Sequence, residues 1–149
     1  MWRTIILATL VAGTLDILSA FLWTGMEGGT PGQVLQSVAS GPFGDSMREN
    51  SWGIPLGLLV HFAIMLAMVA AYVLIAPRFP ILMRQWLVAG VLYGLLLWLI
   101  MYWIVLPLRW GMPPPSEAGA IARQLISHCL LTGIPIAWIT ARARASARR

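Results

Sequence analysis

Thr4–Trp23, TIILATLVAGTLDILSAFLW, is a run of twenty residues in which Asp16 is the one charged side chain. A bilayer's hydrocarbon layer, about 30 Å thick, is crossed by roughly 20 helical residues, so the run predicts a membrane-spanning helix. An ionisable group inside such a span is costly and usually faces protein rather than lipid. Asp16 therefore implies that other helices pack around it, and the remaining residues can be placed relative to that buried acid.

The composition agrees with lipid as the solvent. Of 149 residues, 59% are hydrophobic and 10% charged, with a mean hydropathy of +0.80; soluble domains run near 45–50% apolar and about 25% charged. A water-soluble fold could not hide that much apolar surface. The net charge of +5 comes from arginines, with no lysine. Arg142, Arg144, Arg148 and Arg149 fall in a tail, 140–149, after the last apolar run. That placement suits attraction to anionic headgroups and argues against nucleic-acid binding, which clusters basic groups on one folded face. The single cysteine, Cys129, excludes an intrachain disulfide. Leu18-Ser19-Ala20 resembles a signal-peptide cleavage site, but Asp16 interrupts the apolar core before it and Phe21-Leu22-Trp23 continues the run beyond it.

Three more spans follow, at about 52–76, 84–106 and 117–139. Between the first two lies a loop rich in glycine and proline. Within that loop, 32–40 (GQVLQSVAS) sets Val34, Leu35 and Val38 at helical spacing, which predicts a short amphipathic helix at the interface, ended by Gly41-Pro42. Pro77 and Pro80 separate the second span from the third. Pro107 with Pro113-Pro114-Pro115 is expected to turn the chain back before the fourth. Gly90 and Gly94 have the spacing that lets helices approach closely. The fold expected is an all-α integral membrane four-helix bundle, one transmembrane domain. Arg3, Arg78, Arg84, Arg142, Arg144, Arg148 and Arg149 at one end, against Arg48 and Arg109 at the other, predict both termini in the cytoplasm and a bacterial inner-membrane location.

Residue counts then place the polar groups. At about 1.5 Å per residue, Asp16, His61, Arg123 and His128 fall roughly 9–16 Å below the end opposite the termini. Asp16 and Arg123 suggest an intramembrane ion pair, and Gln36 on the interfacial helix could help close a site above them. These five residues are the candidate ligand or proton site, and Gly90 and Gly94 are the candidate packing positions. His61 and His128 on different spans also allow axial ligation of haem b, though no cofactor is otherwise expected. His128 and Cys129 are adjacent and point about 100° apart on a helix, so they form no metal pair. No phosphate loop, HExxH or GxSxG motif is present, which leaves no catalytic residue to name and an enzyme the less favoured class.

AGTLDILSAF around Asp16, VLQSVASGPFG from Val34, His61-Phe62, and Tyr93-Gly94 followed by Pro107-Leu108 together resemble a group of uncharacterised bacterial four-helix inner-membrane proteins, a domain of unknown function. The resemblance implies fold and location but no activity, and it does not extend to the arginine-rich tail. Two function classes remain open. One is a protein that binds or transports a small molecule or ion at the polar site. The other is a structural or accessory subunit, in which the same groups only fix helix packing. A haem- or quinone-binding redox protein is a third. The bilayer is the expected partner, and a homodimer or another membrane protein is compatible with four short spans.

Overall fold

The computed structural model describes residues 1–147. Every regular element among them is helical, and four helices are long and apolar enough to cross a membrane. These are α1 (Trp2–Met26), α3 (Gly53–Ile75), α5 (Trp86–Trp110) and α6 (Ala118–Ser146). A shorter helix, α2 (Pro31–Phe43), lies between α1 and α3, and one helical turn, α4 (Pro80–Arg84), precedes α5. The protein is thus a multi-pass four-helix membrane bundle. Arg148 and Arg149 of the expected tail lie outside the described residues.

Local chemistry explains most of the boundaries. Thr30 and Gln33 form a reciprocal cap at the start of α2: the Gln33 N–H donates to the Thr30 hydroxyl and the Thr30 N–H donates to the Gln33 side chain. Pro31 occupies the first turn, where its missing N–H costs nothing. Gly41-Pro42 does not end this helix as expected. α2 continues to Phe43 and stops at Gly44, whose φ of +93° suits glycine. Pro42 comes so late that few helical bonds lie beyond it, and the carbonyls of Ser40 and Gly41 accept from Arg109.

Pro107 does not turn the chain either. A π-helical stretch at Ile100–Val105 precedes it and α-helix resumes at Leu106, so Pro107 falls in the opening turn of the new register, where it is tolerated. Pro135 repeats the arrangement in α6, after a π stretch at Ile126–Gly133. The helix then runs on to Ser146, so the first part of the expected tail, with Arg142 and Arg144, extends α6 instead.

α1 packs between α3 and α6, α5 packs on α6, and α2 lies across α3. α3 and α5 share almost no close backbone approach; they meet where the Tyr93 hydroxyl donates to the Met68 carbonyl at 2.7 Å. The end holding the chain termini is solid, built from Ile5, Ala8, Ala12, Met65, Val69, Tyr72, Val73 and Ile136.

Glycine sets the closest approaches. A Cβ on Gly94 would lie 2.2 Å from the His128 carbonyl oxygen, and one on Gly90 2.8 Å from Ile134 Cα. These two glycines are therefore occupied within the chain by α6, which leaves a homodimer without that surface. Gly53 and Gly57 do the same for α2: a Cβ on Gly57 would sit 1.9 Å from the Leu35 carbonyl oxygen.

Gly94→Ala should force α5 and α6 apart and lower stability by about 1–3 kcal/mol, the usual cost of overpacking, measured by unfolding in detergent; an unchanged midpoint would contradict the close approach. At the start of α6 the exposed Glu117 carboxylate accepts from the Gly119 and Ala120 amides, which hold its pKa below the usual carboxylate range. A depressed folded pKa stabilises above the unfolded value and loses that contribution as pH falls through the folded one. Hydrogen exchange at 118–121, corrected for intrinsic rates, should therefore show the first turn loosening at acid pH, and Glu117→Gln should remove the pH dependence.

Candidate functional site

Toward the end of the bundle that carries α2, the helices line a cavity of about 470 Å³ with a mostly apolar wall. The polar or titratable side chains in the wall are Asp16, Ser37, His61, Tyr102, Arg109, Trp110, His128 and Thr132. α2 closes the top, and the two π stretches supply Met101, Tyr102, His128 and Thr132. A π turn widens the helix and re-aims side chains, which is why such turns gather at functional sites.

α1 and α6 are joined by a polar seam. The buried Thr132 hydroxyl donates to Asp16 Oδ1 at 3.1 Å, and the Ser19 and Ser127 hydroxyls are 2.7 Å apart. The Trp23 indole N–H donates to Ser127 at 3.0 Å, and Arg123 pairs with Glu27 at 2.6 Å. The α1 partners recur every three or four residues and so share one face. Beside this seam a second, more polar cavity of about 300 Å³ is lined by Ser19, Glu27, Arg123 and Gln124. Asp16, Tyr102 and His128 line both cavities.

The expected Asp16–Arg123 ion pair does not form. Because α1 continues to Met26 rather than stopping at Trp23, Asp16 lies deeper than counted, and Arg123 in the antiparallel α6 comes level with Glu27. Glu27, just past the end of α1, was hidden from sequence reasoning by its apparent place in a loop. Asp16 is left with a neutral partner.

His61 also stays off Asp16: its Nε2 bonds the Gly13 carbonyl at 2.9 Å. A carbonyl can only accept, so this nitrogen carries the proton. In the same way His128 Nδ1 donates to the Gln124 carbonyl at 3.0 Å. Both rings line the larger cavity, but a bis-imidazole haem site using His61 Nε2 would require that nitrogen to give up its bond to α1. Gln36 lines neither cavity; its amide donates to the Asn50 carbonyl at 3.0 Å, where α2 crosses Gly53.

The residue that sequence reasoning missed is Arg109. Its guanidinium donates to the Ser40 and Gly41 carbonyls at 2.7 Å and to Asp45 at 3.2 Å, and it lies 5.1 Å from the centre of the Trp110 ring. It fastens α5 to the end of α2, and the sign that could have revealed it is a cation next to a tryptophan at the end of a span.

No family model, curated protein or solved structure matches this chain. Chemistry at the cavity therefore rests on these side chains.

A double-mutant cycle distinguishes the two registers. Glu27→Gln and Arg123→Gln should couple by about 0.2–1 kcal/mol, the range for a pair this exposed, whereas Asp16→Asn and Arg123→Gln should add. Coupling in the second cycle and none in the first would restore the pairing expected from sequence.

Proposed function

We propose that this protein binds a small molecule in the cavity beside Asp16, with the carboxylate as the proton- or cation-accepting group. The observation that carries the reading is an unmatched acid facing a mostly apolar cavity: among the described residues no arginine pairs with Asp16, and one hydroxyl is its partner. Large, mainly apolar cavities with a few convergent polar groups are the usual form of a ligand site. His128 and Tyr102, which stand on the wall shared by the two cavities, connect the carboxylate to the polar vestibule. Transport would need a second opening, and at the other end the apolar core blocks the way, so binding is the function this conformation supports.

The competing class, an accessory subunit whose polar groups fix packing, draws support from the Ser19–Ser127 and Glu27–Arg123 contacts of the seam. It leaves the cavity unexplained. Orientation follows from charge: Arg3, Arg78, Arg84, Arg142 and Arg144 gather at the end with the termini, so we place that end in the cytoplasm of a bacterial cell and the cavity toward the outer leaflet of its inner membrane. The resemblance to four-helix inner-membrane proteins agrees with that location and adds no activity.

Native mass spectrometry of the protein in nanodiscs, after incubation with a total bacterial polar-lipid and metabolite extract, should show a bound small-molecule mass. Ala20→Trp, which fills the cavity while keeping the Asp16 side chain, should remove it. A wild-type spectrum free of adducts, or an adduct unaffected by Ala20→Trp, would overturn the proposal.

A further inference from the structure

The cavity is open on one side. α3 and α5 touch through Tyr93 and Met68 but otherwise share almost no close backbone approach, and the gap between them is bordered by Ile64 and Val105, each lining the cavity yet 38% and 37% exposed. These two helices cross the membrane, so the opening faces lipid chains rather than water. A ligand using it must first dissolve in the bilayer.

Charge narrows the class further. Arg109, the cation in the cavity wall, is spent on two carbonyls and on Asp45, and Arg123 in the vestibule is spent on Glu27. His61 and His128 each donate a ring N–H to a backbone carbonyl. Among the acidic and basic side chains lining the two cavities, Asp16 is the one with no oppositely charged group paired with it. In a low-dielectric setting an unpaired carboxylate gains most from a bound cation, and Tyr102, which lines the same two cavities, adds an aromatic ring of the kind cations favour.

Resting on the small-molecule reading above, we propose that the ligand is a lipophilic cation, an organic ammonium or phosphonium, that enters sideways from the bilayer between α3 and α5 and sets its charge against Asp16. Apolar groups of the ligand fill the space among Met65, Met68 and Met101, whose unbranched side chains adapt to irregular shapes.

Equilibrium binding of radiolabelled tetraphenylphosphonium to the full chain in zwitterionic phosphatidylcholine nanodiscs tests the assignment, with tetraphenylborate as an anion of the same shape. The cation should bind saturably and the anion should not. Asp16→Asn, which keeps an oxygen for Thr132, should weaken cation binding by at least about tenfold, the scale of a lost charge-assisted contact. Asp16→Glu, which returns a carboxylate to the position, should recover cation binding, and the thermal unfolding midpoint of Asp16→Asn should match that of the wild type, so that its loss of binding does not reflect misfolding. Comparable binding of the anion, or undiminished cation binding by Asp16→Asn, would overturn the cation assignment while leaving the cavity as a ligand site, provided Ala20→Trp still abolishes that binding. Failure of both probes to bind would overturn the cation assignment, while the small-molecule reading stands or falls separately on the bound mass and its loss in Ala20→Trp.

Discussion

Backbone contact at glycine is the constraint from which the rest of this bundle follows. In lipid there is little hydrophobic drive to press one apolar helix against another, so close packing must come from surfaces that let main chains meet. The chain has two such surfaces. Gly53 and Gly57 admit α2 onto α3, while Gly90, Gly94 and Gly133 bring α5 and α6 together. The helices are thereby drawn into two tight pairs with α1 between them. What remains between α3 and α5 is the space where the cavity forms, so the hollow is a product of where the glycines are not.

The polar groups obey a second accounting, that of charge in a medium with little water. Arg123 and Arg109 each find an acid close to the membrane surface, Glu27 and Asp45, where both partners keep some hydration. Asp16 is set deeper and receives a hydroxyl. Its surroundings combine an apolar chamber reached from the bilayer with a vestibule whose wall carries Glu27, Arg123 and Gln124. The same carboxylate can therefore be approached from two media. An ordinary packing residue has no need of that arrangement.

Much of this architecture was legible in the residues. Span number, the helix between the first two spans and the crowding of polar side chains away from the termini all follow from hydropathy, helical spacing and rise per residue, because lipid imposes those rules on every helix. Register was not legible. The three residues by which α1 outlasts its apolar run move Asp16 out of reach of Arg123 and bring Glu27 into reach, and nothing in composition marks where a helix entering the interface will stop. Proline was misleading twice, at Pro42 and Pro107. A proline ends a helix when the turns beyond it depend on the bond it removes; after Pro42 only Phe43 follows in α2, and Pro107 falls where a π stretch has already shifted the pairing. Gly53 and Gly57 carry the same spacing as Gly90 and Gly94, but a four-residue glycine spacing does not say which helix will fill it.

The π stretches in α5 and α6 have a further implication. Each accommodates a surplus residue relative to a regular α-helix, so the two halves of either span are rotationally offset from one another. The packing stripe that meets the solid core is set by the residues before the offset in α5 and after it in α6, while the side chains lining the chamber come from the π stretches themselves and, in α5, from the turn that follows. Recognition chemistry could thus be retuned by moving or losing the surplus residue, swinging a different set of side chains inward, while the hydrocarbon interlock at the opposite end stayed as it is. The two halves of the molecule are in that sense separately adjustable parts on shared rods.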